Sequence, residues 1–179
     1  PNNGDVLACV SYPGFDNNRL TNTMEADYYS QLLNDNARPM YSRATQEKTA
    51  PGSTLKPLVG MAGLCEHVIS TSPSNTISCT GVYTKVSNHP KCWVFTQRGG
   101  SHGSENLIEA IKDSCNCYFY EVGFRLGSTG DGLSNESGLE KLAKYAAMFG
   151  LGDKSGLETE ESEPQISDET IVPSAIGQG

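Results

Sequence analysis

Basic residues are scarce in this chain. Over 179 residues, 13 Lys and Arg stand against 21 Asp and Glu, a formal net charge of -8. A nucleic-acid partner requires clustered positive charge, so the shortage excludes a phosphate-backbone ligand. Long apolar runs are also missing. No stretch approaches the roughly eighteen consecutive apolar residues of a spanning helix, so these residues do not themselves cross a bilayer. No secretory leader is visible, and a chain that opens abruptly at Pro1 reads as a piece of something longer. There is no internal repeat. What is present, 36% hydrophobic residues and 19 glycines, describes a loop-rich globular protein rather than a disordered one. The length suits one domain with a real core.

Cysteine breaks the pattern of scarcity. Six in a chain of this size is more than a cytosolic enzyme usually carries, and sequence alone cannot assign pairs among them.

Hydrophobic spacing outlines the elements. "DVLACVSY", residues 5–12, is apolar and partly β-branched, which predicts a strand ending in a turn at Pro13. Residues 16–48 read as a polar surface excursion with one short helix near 25–33. Leu55, Leu58, Val59, Ala62, Cys65 and Ile69 recur at helical spacing and predict a buried stripe. Residues 70–103 read as loop with short strands. Ser104 is predicted to cap an amphipathic helix. "CYFYEVGFRLG" predicts a second helix ended by Gly127, and "SGLEKLAKYAAMFGLG" a third, capped by Ser137 and stopped by Gly150 and Gly152. The acidic tail 158–173 reads as a surface loop.

Within this outline "APGSTLKP" poses a chemical question. Ser53 and Lys56 are three residues apart, so on a helix they share a face. A serine at a helix start sits in a positive potential. A lysine desolvated enough to be neutral can take its hydroxyl proton. Ser-x-x-Lys alone is equally an ordinary helix start with a solvated lysine. Enzymes built on it add a Ser-x-Asn element and a Lys-Thr-Gly element. Ser114-Cys115-Asn116, between two predicted helices, supplies the second. Lys154-Ser155-Gly156 imitates the third, but it follows the helix stop "FGLG" and leads into "LETEESEP", which places it in a loop rather than on a cleft-lining strand.

"GDVLACVSYPGFDNN", "APGSTLKP", "AIKDSCNCYFYEVG", "MFGLG" and "SAIGQG" occur in the order seen in the transpeptidase domain of class B penicillin-binding proteins. The chain resembles that family over nearly its whole length, and its "CW" and "HG" stretches resemble the elongation-type branch. The resemblance implies an α/β (α+β) fold, an antiparallel sheet flanked by helices with a mainly helical lobe. It implies that residues 1–179 are the N-terminal part of one such domain, cut before the true third motif and needing the missing C-terminal part. It further implies peptidoglycan D,D-transpeptidation. Ser53 attacks the penultimate D-Ala carbonyl of a stem peptide and Lys56 is the general base. Ser114 relays a proton to the leaving group, and Asn116 bonds the donor's amide. The Ser53 N–H serves the oxyanion hole together with an N–H from the absent strand. No cofactor is implied for catalysis, β-lactam antibiotics acylate the same serine, and elongation-type cell-wall machinery is the expected partner. The parent protein is expected to be anchored in the cytoplasmic membrane with this domain outside.

Cys79, Cys92, His102 and Cys115 make a complete donor set for structural zinc. Their spacing is not that of a zinc finger, and the resemblance adds the weight, since some elongation-type relatives bind a metal at matching places. A Cys79–Cys92 disulfide and buried free thiols are the competing readings. Cys9 and Cys65 read as core residues, Cys117 as a rival to Cys115, and His67 and His89 as solvated or structural. Two other functions share the local motifs. A serine β-lactamase of the class A kind needs a Glu to position deacylating water, and none stands in a convincing frame. A β-lactam-sensing domain is acylated without crosslinking.

Overall fold

Helices dominate the structure, a computed structural model that describes residues 2–165, 167 and 170–178. It divides into two units, Pro1–Thr49 with Lys154–Glu163, and Ala50–Asp153 with Pro164–Gly179.

In the first unit a 3₁₀ turn, Asn17–Leu20, begins where the Asp16 carboxylate accepts from the Asn18 N–H. Helix α1, Ala26–Asn34, matches the predicted short helix. A single turn, α2, spans Arg43–Gln46. Residues 5–12 correct the prediction, because they form no strand. A strand is held by a ladder to a neighbour, and no described strand lies beside them. Leu7 and Val10 are 82% and 79% exposed, and Cys9 is exposed rather than core. Lys154-Ser155-Gly156 lies in a loop as predicted. The Ser155 and Leu157 N–H groups donate to the Glu161 carboxylate, which is the work of a tight turn, not of a cleft edge.

The second unit opens with a 3₁₀ turn, Gly52–Leu55, that runs into helix α3, Lys56–Cys65. Pro57 fits because the first turn of a helix needs no N–H donors. Strand β1 (Ile77–Cys79) pairs antiparallel with β2 (Gly103–Glu105), and Cys79 faces Gly103 across the ladder. Between them lies α4, Trp93–Arg98, which spacing had not revealed. Helix α5, Leu107–Lys112, is capped by Asn106, not Ser104. The Asn106 side chain accepts from the Glu109 N–H while the Glu109 carboxylate accepts from the Asn106 N–H, a reciprocal capping box. Helix α6 spans Asn116–Gly127. A short hairpin of β3 (Ser128–Thr129) and β4 (Gly132–Leu133) follows. Helix α7, Asn135–Met148, is capped by Ser134, three residues before the predicted Ser137. The tail was predicted to be loop, yet Ile171–Ser174 forms α8 and buries Ile171 and Val172. Residues 166, 168 and 169 of that predicted loop lie outside the described residues.

Helix α6 is the centre of this unit, with α3, α7 and α8 packed around it. Tyr118, Phe119, Val122 and Leu126 are fully buried. Gly123 lets α8 approach, since a Cβ there would stand 2.7 Å from that of Ala175. Leu58, Val59, Ala62 and Ile69 are buried as predicted. Cys65, the last residue of α3, lies off that face and is exposed. A buried carboxylate braces the outer side of α6. Glu121 accepts from Tyr83, Lys85 and Arg125, each at 2.8 Å. Burial alone would raise the Glu121 carboxyl, but these three donors outweigh it and hold it below its ordinary range. Helices with small antiparallel strand pairs make the mixed class predicted.

Candidate active site

The Ser53 hydroxyl sits exposed on the 3₁₀ turn before α3. One helical turn on, Lys56 is 1% exposed. The turn between α5 and α6 meets both. Ser114 has φ +52, a left-handed conformation that costs a non-glycine residue about 1 kcal/mol or more. This conformation turns its carbonyl and its hydroxyl toward the same amine. Lys56 Nζ donates to Ser114 O at 2.7 Å, Ser114 Oγ at 2.9 Å and Asn116 Oδ1 at 2.7 Å. Ser114 Oγ in turn donates to Ser53 Oγ at 3.0 Å. All four predicted catalytic side chains therefore converge. Lys56 is buried, while Ser53, Ser114 and Asn116 border a cleft of about 350 Å³. Trp93, Ile176 and Gln178 complete its lining. These three stand in the "CW" and "SAIGQG" stretches, but the sequence assigns none of them a role in the site.

Burial drives the Lys56 pKa from 10.5 down to about 8, against the opposing pull of Cys92 and Cys115. An ammonium has three donors, and here all three are used. When it loses one proton, its lone pair faces Ser114 Oγ. The chain of bonds can then reverse, with Ser53 donating to Ser114 and Ser114 to Lys56.

The serine turn is fixed from across the unit. The Gly52 N–H donates to Gly177 O at 2.9 Å. Gly177 has φ +72, and a Cβ there would overlap the Gly52 backbone. Gly177 and Gln178 thus lie beside Ser53, while Gly179, the last residue of "GQG", is outside the described residues.

The predicted metal ligands also come together. The donor atoms of Cys79, Cys92, His102 and Cys115 all lie within 4.8 Å of one another. The three cysteines are at most 2% exposed. His102 Nδ1 stands 3.7 Å from Cys79 Sγ and 3.5 Å from Cys92 Sγ. Zinc with tetrahedral sulfur and nitrogen ligands needs an S···N edge of about 3.6 Å, so the donor set fits that ion. All six cysteines are free, with no disulfide. The Cys92 thiol is held well below its ordinary pKa by thiol donation from Cys115 and Cys117. Those two are pushed up by the same contact with Cys92 and by burial. Glu105 is 3% exposed, and neither carboxylate oxygen has a hydrogen-bond partner. Its Oε2 lies 4.0 Å from His102 Nδ1, and burial raises its pKa. Three buried thiols and an unpaired buried carboxyl leave this dry pocket short of polar partners, which a cation would supply.

The two clusters touch. Cys92 Sγ accepts the Asn116 N–H at 3.3 Å. Cys115 caps α6 by accepting the Tyr118 N–H at 3.5 Å. The sulfur group therefore holds the first turn of the helix that carries Asn116.

Three comparisons bear on this geometry. The family described as penicillin binding protein transpeptidase domain matches residues 1–179. The chain belongs to the penicillin binding protein transpeptidase family. The peptidoglycan D,D-transpeptidase MrdA of Haemophilus influenzae is 37% identical over 161 residues, 90% of this chain and 22% of that protein. The chain thus spans under a quarter of that relative's length. The crystal structure of Pseudomonas aeruginosa PBP2 in complex with WCK 5153 superposes with a TM-score of 0.78 at 26% identity, covering 98% of this chain and 40% of that one. Helicobacter pylori PBP2 gives 0.75 at 26%, covering 95% and 32%. Relatives and structural neighbours agree on the transpeptidase fold and its elongation-type branch.

Proposed function

We propose that these residues form the part of a peptidoglycan D,D-transpeptidase domain that holds the nucleophile and its proton path. The observation that supports this reading best is the unbroken line of hydrogen bonds from Ser53 Oγ through Ser114 Oγ to Lys56 Nζ. With Lys56 neutral, the Ser53 hydroxyl proton passes to Ser114 Oγ as the Ser114 proton passes to Lys56. Ser53 Oγ bonds the carbonyl carbon of the penultimate D-Ala. The terminal D-Ala leaves as an amine, regaining a proton by the same path, and an ester on Ser53 remains. The amine of a second stem peptide then attacks the ester and restores the serine. Asn116 is placed to orient both Lys56 and the donor's amide. β-Lactams are attacked by the same hydroxyl.

The test is labelling of the full-length protein by a fluorescent penicillin. One equivalent is expected on Ser53 and none on Ser53→Ala, and labelling that survives that substitution ends the reading. The oxyanion hole needs a second N–H from outside this chain, and loss of one such donor costs about a hundredfold or more. The 179-residue chain alone is therefore expected to label far more slowly.

Cys79, Cys92, His102 and Cys115 would hold a structural zinc ion. Bound there, the ion neutralises buried thiolate charge, and the protein fills every position, so none is left for water. The role of these residues is to fix the start of α6. Metal analysis with a thiol count in denaturant is expected to give one zinc and six reactive thiols. Six thiols without metal would show plain buried cysteines. No helix among the described residues is long and apolar enough to cross a membrane. The membrane anchor and elongation-type partners belong to the whole protein and stand as part of this proposal.

A further inference from the structure

Trp93 is the only tryptophan in the chain, and neither the proton path nor the sulfur cluster uses it. It follows Cys92 directly as the first residue of α4, and it lines the cleft with Ser53, Ser114 and Asn116. Its one polar atom is already committed, with Nε1 donating to Asp113 O at 3.1 Å. Its ring leans on His102, centroid to centroid 5.5 Å. The indole is therefore held from three sides, by the Cys92 backbone, the His102 ring and the Asp113 carbonyl. What it still offers to a ligand is a flat apolar face beside the nucleophile.

We propose that Trp93 is a specificity-determining wall of the acyl-donor site, selecting donors with an apolar or aromatic group on the substituent next to the scissile carbonyl. The proposal rests on the acyl-enzyme reading above. A preorganised ring gains most from such a group, because no side-chain freedom is lost on binding. An aromatic contact of this kind changes a rate ratio roughly two- to tenfold. The same contact makes the indole a reporter, since a group that packs on it changes its emission.

The test compares two β-lactams on the full-length protein with its metal in place. Benzylpenicillin carries an aromatic side chain, and 6-aminopenicillanic acid carries none. Trp93→Ala is expected to lower the ratio of their acylation rate constants by roughly two- to tenfold. Trp93→Phe, which keeps a ring but loses the bond to Asp113, is expected to keep most of that ratio. The part of the emission change that is lost in Trp93→Phe is expected to be larger for benzylpenicillin than for 6-aminopenicillanic acid. An unchanged ratio in Trp93→Ala overturns the proposal, because the ring then only supports the fold. An equal fall in the ratio for Trp93→Phe and Trp93→Ala overturns it as well. If neither compound acylates the unsubstituted protein, the acyl-enzyme reading falls, and this proposal with it.

Discussion

Acylation is expected to follow the titration of one buried amine. Lys56 must be neutral to accept a proton, and burial lowers its pKa from 10.5 to about 8. The neutral form grows as pH rises, so the rate rises with pH and levels off above the pKa. With a pKa of about 8, about one-tenth of the amine is neutral at pH 7 and about nine-tenths at pH 9, so the rate grows roughly tenfold between them and then flattens. An amine at its ordinary 10.5 would give about a hundredfold rise over the same interval, with no plateau below pH 10. The assay is the pseudo-first-order acylation of full-length protein by a fluorescent penicillin at fixed ionic strength, with Lys56→Arg alongside. A guanidinium cannot give up its proton, so that variant should be inert at every pH. A rate still climbing tenfold per pH unit beyond pH 9 would refute the buried-amine argument. Activity in Lys56→Arg would refute the proton path itself.

Other outcomes follow from single contacts. Gly177→Ala should push the Gly52 backbone aside and misplace Ser53, slowing acylation by roughly a hundredfold. Gly150→Ala is the control, since it shares a positive φ but has nothing within 4 Å of the new Cβ, and should leave acylation intact. Glu121→Ala strips Arg125 and Tyr83 of their acceptor and should cost about 3 kcal/mol, read as a shift in denaturant midpoint. Asn106→Ala removes the α5 capping box and should cost about 1 kcal/mol, or about 3 °C in Tm.

The gathering of the candidate site's side chains was more legible in the sequence than the bounds of the elements were. Ser53, Lys56, Ser114 and Asn116 could be read because each belongs to a short motif whose chemistry demands company. The grouping of Cys79, Cys92, His102 and Cys115 could be anticipated because thiols and an imidazole are rare enough to count. Helices 116–127 and 135–148 announced themselves by period. The caps did not, because Ser104, Asn106, Ser134 and Ser137 all suit the position, and only the backbone bonds decide among them. Residues 5–12 have a strand's composition, but a strand is made by its neighbour. Ile171 and Val172 are too short an apolar run to outweigh the acidic residues before them. Cys65 has the right spacing and the wrong position, at the end of a helix whose packed face has turned away. Trp93 stands in the "CW" stretch, but that stretch assigns it no chemistry, and its place in the cleft depends on where two helices happen to meet.

The bond between Gly52 and Gly177 joins points 125 residues apart in the sequence. Closing so long a loop is entropically expensive and is repaid only when the final helix docks. During synthesis the turn that carries Ser53 would therefore stay unheld until Gly177 had left the ribosome. A polypeptide interrupted shortly before that point would carry Ser53, Lys56, Ser114 and Asn116 without the bond that fixes the Ser53 turn.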